Sequence, residues 1–255
     1  MISPVSHINS VDHGATPIPA IKDIKGWQKV PIQDGGEELV SIDFFCCDRI
    51  AIRPAYFLAD IPGAIPEMFL RLSVAELLVR AANSLPNSLL LVVLDAWRPL
   101  EVQEALYKRT TLKIRARDTA QPNSGLSMSA ETYAAEPSLS PGCPYPHSTG
   151  GSVDVALMDD SGVLLNMGTE FDDVSAAAAT RFFESEAEET KPRRAASAMY
   201  RDNRRLLFHA LTNVGFTNYF NEWWHFDFGN QLWAVQNATT AQYGKSTPLR
   251  HPQRI

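Results

Sequence analysis

Cysteine, histidine and long apolar runs are all scarce in this sequence. Cysteine occurs three times in 255 residues, as Cys46, Cys47 and Cys143. An odd count with two adjacent residues forms no disulfide framework, so a reducing, cytoplasmic setting is expected. The thiols read as small buried hydrophobes rather than catalysts. No apolar stretch reaches the ~18 residues of a membrane helix, so no membrane span is expected. The opening MISPVSHINS has no basic segment followed by an apolar one, and a secretory signal is not predicted. Positive charge is not in surplus either: 23 basic against 29 acidic residues leave −6 with histidine neutral. Proteins that hold a phosphate backbone carry excess Lys and Arg, so a nucleic-acid partner is not expected. What is present is 45% apolar and 20% charged residues, the make-up of a globular chain with one sizeable core.

Residues 1–40 mix Pro17, Pro19 and Pro31 with a Gly-Gly pair and predict an irregular arm. Residues 41–255 are expected to form a single domain. Between 43 and 57 short strands or a loop are expected. Ser73 and Glu76 make a capping-box pattern ahead of a helix running to about Ala82. Leu89–Leu94 is an apolar run of strand length, bounded by Pro86 and Asp95, and reads as a buried central strand. Pro99 suits the first turn of the next helix. Residues 116–146, rich in Ser, Ala, Pro and Gly, predict a long loop or lid. Ser152–Met158 alternates as a strand, followed by a turn at 159–162 and a hairpin partner at 163–165. The charged stretch 183–204 reads as a solvated helix face. Leu206, Leu207, Ala210, Leu211 and Val214 form a helical stripe closed by Gly215. Glu222–Phe228 is strand-like, and the polar tail past Gly229 reads as peripheral.

Six histidines make their positions informative. His7, His13 and His251 lie in terminal segments, and His209 sits in the amphipathic helix. His147 and His225 have acidic company: Asp154 follows His147 by seven, and Glu222 precedes His225 by three. A catalytic zinc site takes three nitrogen or oxygen donors and leaves a position open. His147, Asp154 and His225 would supply two imidazoles and a carboxylate. A separation of seven puts two residues on opposite faces of a straight strand, but Gly150-Gly151 permits a bend between them. Glu222 and His225 converge only if Glu222 sits in a turn or a bulge before the strand. A carboxylate there is placed to act as general base on water. Each pair alone is a weak signal, and Trp223 and Trp224 are equally expected as core aromatics. Arg98, at the end of the central strand, either stabilises an oxyanion or pairs with Asp95.

Four motifs in order then carry a resemblance. Asp-Ala-Trp-Arg-Pro (95–99), His-Ser-Thr-Gly-Gly-Ser-Val-Asp (147–154), Met-Gly-Thr-Glu-Phe-Asp (167–172) and Glu-Trp-Trp-His-Phe (222–226) together resemble the VanX-type D-alanyl-D-alanine dipeptidases. These belong to a wider family of zinc D,D-peptidases. The resemblance spans about 43–228. It implies one Zn2+ on His147, Asp154 and His225, Glu222 as the catalytic base, and Arg98 as the group facing the tetrahedral intermediate. It also implies that Asp172 takes the free amino end of a dipeptide. The family carries a serine near the substrate two residues before the zinc histidine, and Tyr145 stands there in this chain. The expected fold is α+β, with a central, mostly antiparallel sheet flanked by helices and the zinc site on the sheet. The expected substrate is a small D,D-dipeptide such as D-alanyl-D-alanine. The alternatives are a D,D-carboxypeptidase or peptidoglycan endopeptidase on the same fold, which would require export, or a non-enzymatic zinc domain that binds a partner.

Overall fold

The computed structural model describes residues 14–45, 48–120, 135–138, 140–185 and 194–249. His7, His13, His251, Cys46, Cys47, much of the expected lid at 121–134 and residues 186–193 of the charged stretch lie outside the described residues.

Among the described residues the elements run β1 (Leu39–Ser41), β2 (Ile50–Ile52), α1 (Ala55–Leu58), β3 (Phe69–Arg71), α2 (Leu72–Ser84), β4 (Leu89–Asp95), α3 (Leu100–Ala120), β5 (Ser152–Asp159), α4 (Arg194–Thr212), β6 (Thr217–Asn218), β7 (His225–Asp227) and α5 (Gln231–Asn237). β1 and β3 form an antiparallel pair. The main sheet has the order β2-β4-β5-β7-β6. Only its β2–β4 pairing is parallel, and the other three are antiparallel. The fold is the expected α+β arrangement of a mostly antiparallel sheet with flanking helices.

The centre of the sheet follows from its apolar strands. Leu91, Val92 and Val93 of β4 and Val153, Val155 and Leu157 of β5 have no exposed surface. Each aliphatic side chain buried this way is worth roughly 1.5–3 kcal/mol. They share one core with Val74, Leu78 and Ala82 of α2 and with Leu207, Ala210 and Leu211 of α4. The predicted stripe on α4 thus faces the sheet, and Gly215 follows it at φ 112. The predicted hairpin after β5 reduces to one bridge, Met158 with Leu164.

Several expectations are corrected. The capping box at Ser73 does not form: the Ser73 N–H and hydroxyl both donate to the Glu37 carboxylate, which reaches across from the arm. Residues 116–120 continue α3 instead of opening a loop. The charged stretch is not solvated throughout. Arg204 is 2% exposed and donates to the carbonyls of Met167, Ala177 and Ala179. The segment past Gly229 is no peripheral tail: Asn230 caps α5 through Trp233 N–H, and Tyr243 is buried. None of the described helices is long and apolar enough to cross a membrane.

Candidate active site

Strand register assembles the site. β4 pairs β5 with Asp95 opposite Asp154, beyond an irregularity between Val93 and Asp95. β5 pairs β7 with Asp154 opposite His225. Asp95, Asp154 and His225 therefore stand abreast on three neighbouring strands. His147 enters from a 3-10 turn, Pro146–Thr149, directly before β5. Gly150 ends that turn at φ 72, where a Cβ would lie 2.1 Å from Leu39 Cδ2. Only glycine fits this bend. The bend turns His147 back over Asp154, and the seven-residue separation does not part them.

The three side chains converge. His147 Nε2 is 3.1 Å from His225 Nδ1 and 3.4 Å from Asp154 Oδ1, and His225 Nδ1 is 3.0 Å from Asp154 Oδ1. All three residues are buried, and their ligand atoms lie within 4.8 Å of one another. The outer ring nitrogens fix the roles. His147 Nδ1 donates to the Ala96 carbonyl at 2.6 Å, which leaves Nε2 with its lone pair. His225 Nε2 donates to the Asp227 carboxylate at 3.1 Å, which turns Nδ1 toward Asp154. Two inner ring nitrogens and a carboxylate oxygen thus meet, and each ring can turn a lone pair inward once its inner nitrogen gives up any proton it holds. Burial raises the Asp154 pKa, but His147 and His225 outweigh it and keep the carboxylate ionised. Such a donor set fits a divalent cation.

Around this cluster lies a cavity of ≈ 340 Å³. All seven residues singled out in the sequence line it: His147, Asp154, His225, Glu222, Arg98, Asp172 and Tyr145. Glu222 sits in the turn between β6 and β7, as its spacing from His225 required, and its N–H donates to the Tyr219 carbonyl. Its carboxylate accepts no hydrogen bond from the described residues. Burial pushes its pKa well above the ordinary 4.5, with His225 opposing the shift.

Arg98 pairs with Asp95, the second of its two expected roles, and it also lines the cavity. Nε donates to Asp95 Oδ2 at 2.8 Å, Nη1 to Gln103 Oε1 at 2.7 Å and Nη2 to Asp154 Oδ2 at 3.3 Å. The guanidinium also lies 5.0 Å over the Tyr56 ring. Asp172 holds φ 63, a left-handed conformation that aspartate adopts rarely. Lys113 Nζ is 3.8 Å from its carboxylate, and burial raises its pKa against that charge. Tyr145 is 2% exposed, and its hydroxyl donates to the Arg98 carbonyl at 2.8 Å. Burial pushes that phenol up to about 12.

Sequence reading missed several members of the site. Tyr56 and Gln103 line the cavity, as do Ile24, Trp27 and Gln28 of the arm. Asp227 holds the outer nitrogen of His225. None belongs to a recognisable local pattern; register and chain reversal bring them in.

Comparison with known proteins agrees with this geometry. Residues 68–244 match the model of a peptidase family described as D-Ala-D-Ala dipeptidase. The chain is similar to a D-alanyl-D-alanine dipeptidase of Synechocystis sp., with 34% identity over 224 residues, 84% of this chain and 90% of the relative. It is also similar to a D-alanyl-D-alanine dipeptidase of Escherichia coli, with 26% identity over 191 residues, 74% of this chain and 77% of the relative. A His-Asp-His cluster on a mixed sheet, a buried glutamate beside it and this match over most of the chain agree: the protein belongs to the D-alanyl-D-alanine dipeptidase family of peptidases.

Proposed function

We propose that this chain is a zinc-dependent dipeptidase that hydrolyses a D,D-dipeptide such as D-alanyl-D-alanine in the cytoplasm. One observation carries the reading: ligand atoms of His147, Asp154 and His225 converge in the same cavity as a buried Glu222 carboxylate that accepts no hydrogen bond from the described residues. The donor set of two imidazoles and one carboxylate is that of catalytic zinc sites. When bound, zinc would supply Lewis acidity that polarises the scissile carbonyl and lowers the pKa of water.

The chain's own groups do the rest. Glu222 takes a proton from the attacking water and passes it to the leaving amine. Its raised pKa suits both halves of that task. Arg98 is pinned by Asp95, Gln103 and Asp154, so its positive charge is in place before an oxyanion develops. Asp172 pairs with the free ammonium of a dipeptide. A longer peptide has no ammonium at that point and would bury the carboxylate without its partner. Tyr145 shapes the wall and holds the Arg98 backbone.

The test is metal analysis of the purified chain, combined with hydrolysis of L,L, L,D and D,D dipeptides and an N-acetylated D,D-dipeptide. The expected result is one zinc per chain and cleavage confined to free-amine D,D substrates. Equal cleavage of the N-acetylated peptide would favour a carboxypeptidase or endopeptidase. A metal-free chain inert on every substrate would overturn the proposal.

A further inference from the structure

We propose that Asp227 is a positioning residue: it fixes the His225 ring in the tautomer that presents Nδ1 to the metal site. The inference rests on the reading of that site as a metal centre. Asp227 and His225 are two apart on β7, so their side chains share a face of the strand. Asp227 has no exposed surface. A buried carboxylate persists as an anion only when donors surround it. Four contacts do so here. Oδ1 accepts from Ser152 Oγ at 2.7 Å and from Asn230 Nδ2 at 2.6 Å. Oδ1 and Oδ2 both lie 3.1 Å from His225 Nε2. Ser152 stands opposite Asp227 in the β5–β7 register, so the pairing that brings Asp154 to His225 also brings this support.

The two imidazoles are anchored differently. The Ala96 carbonyl, a neutral acceptor, takes His147 Nδ1 at 2.6 Å, while the Asp95 carboxylate stands farther off at 3.3 Å and is engaged by Arg98. A carboxylate holds His225, and an anionic acceptor makes the opposite ring nitrogen a better donor to a metal. The network also dictates what an isosteric amide would do. In Asp227→Asn, the side-chain oxygen must keep the Oδ1 place, because Ser152 and Asn230 donate there. The NH2 group then takes the Oδ2 place and donates to His225 Nε2. That favours the tautomer with the proton on Nδ1, where it blocks the ligand lone pair.

The experiment measures zinc affinity by competition with a chromophoric chelator for the whole chain, Asp227→Asn and Ser152→Ala. Thermal unfolding checks that each variant folds, and 15N NMR of the imidazoles reports the His225 tautomer. Zinc binding by folded Asp227→Asn is expected to weaken roughly 10–100-fold, as for other outer partners of ligating histidines. Ser152→Ala should weaken it severalfold. The NMR signature of protonated Nε2 should be lost in Asp227→Asn. A role confined to stability would lower the melting temperature and leave affinity and tautomer unchanged, and that result overturns the proposal. Should Asp227→Asn fail to fold, unchanged affinity in Ser152→Ala overturns it instead. Wild-type protein that takes up no zinc would overturn both this inference and the metal reading. Zinc uptake without dipeptide hydrolysis would leave this inference standing and sink the dipeptidase.

Discussion

Nε2 of His147 and Nδ1 of His225 lie 3.1 Å apart, although 78 residues separate them in the chain. With their outer nitrogens held by Ala96 and Asp227, both inner nitrogens point at one another and at Asp154. Such a pair needs a shared cation. Without metal it is a proton on His225, whose pKa burial lowers but Asp227 and Asp154 raise by more, and a bound metal ion takes that proton's place. Zinc should therefore stabilise the fold markedly. Ligand a thousandfold above its Kd contributes about 4 kcal/mol. For a chain of this size that is a rise in Tm of roughly 8–16 °C. Calorimetry with and without zinc should show the rise in wild type and none in His147→Gln. An equal rise in both would place the binding elsewhere.

Glu222→Gln separates metal binding from catalysis. The amide keeps the size of the side chain and removes its capacity to take a proton. General-base loss costs about 10²–10⁴-fold, so kcat on D-alanyl-D-alanine should fall within that range. Zinc content should stay at the wild-type level, because the carboxylate lies outside the three-residue cluster. A variant with kcat within tenfold of wild type and full metal would remove Glu222 from the reaction.

The sequence made the residues that meet at the cavity legible and left most of their supports hidden. His147 and Asp154 were readable because Gly150-Gly151 announces a bend, and the 3-10 turn realises it at φ 72. Glu222 was readable because three residues before a strand histidine leaves only a turn or a bulge. Asp227, Gln103 and Tyr56 were not. Each is a single polar or aromatic residue whose partner arrives from another strand, helix or loop. The tail past Gly229 misled for a related reason. Asn230 and Gln231 are polar by composition yet 1% and 2% exposed, because other chain segments accept from the Asn230 amide and from Gln231 Nε2. Ser73 misled because Glu37, distant in sequence, took the N-terminal N–H that Glu76 was expected to help cap.

Arg204 shows the same contrast in energetic form. It looked like part of a solvated charged face, yet it is buried, bonded to three carbonyls and stacked 4.7 Å from the Phe183 ring. Those carbonyls belong to the segment 167–179, which includes Asp172. Arg204→Met keeps much of the volume and leaves the carbonyls without their donor. Unsatisfied buried groups cost about 1–3 kcal/mol each, and partial relaxation brings the total to the order of 3 kcal/mol. Thermal unfolding should register a drop of roughly 6–12 °C. A drop below 2 °C would mean that water replaces the guanidinium at no cost.

Glu184, which does not line the cavity, gives a pH dependence of its own. Burial raises its pKa, but the hydrogen bonds from Arg205 and from the Ile18 N–H outweigh it and bring it below the ordinary 4.5. Arg205 Nε and Nη2 reach the two carboxylate oxygens at 2.7 and 2.6 Å, and the Ile18 N–H lies at 3.1 Å. The carboxylate thus ties the N-terminal arm to α4. A depressed folded-state pKa adds stability above the unfolded value, and that stability is lost as pH falls through the folded value. Wild type should therefore exceed Glu184→Gln in stability at pH 7. The gap should hold down to about pH 4.5 and close at lower pH, as both proteins come to carry a neutral side chain. Urea unfolding of the two proteins between pH 7 and pH 3 measures this directly. A gap that stays constant through the acid range would mean that the carboxylate charge contributes nothing, and that shape alone holds the arm in place.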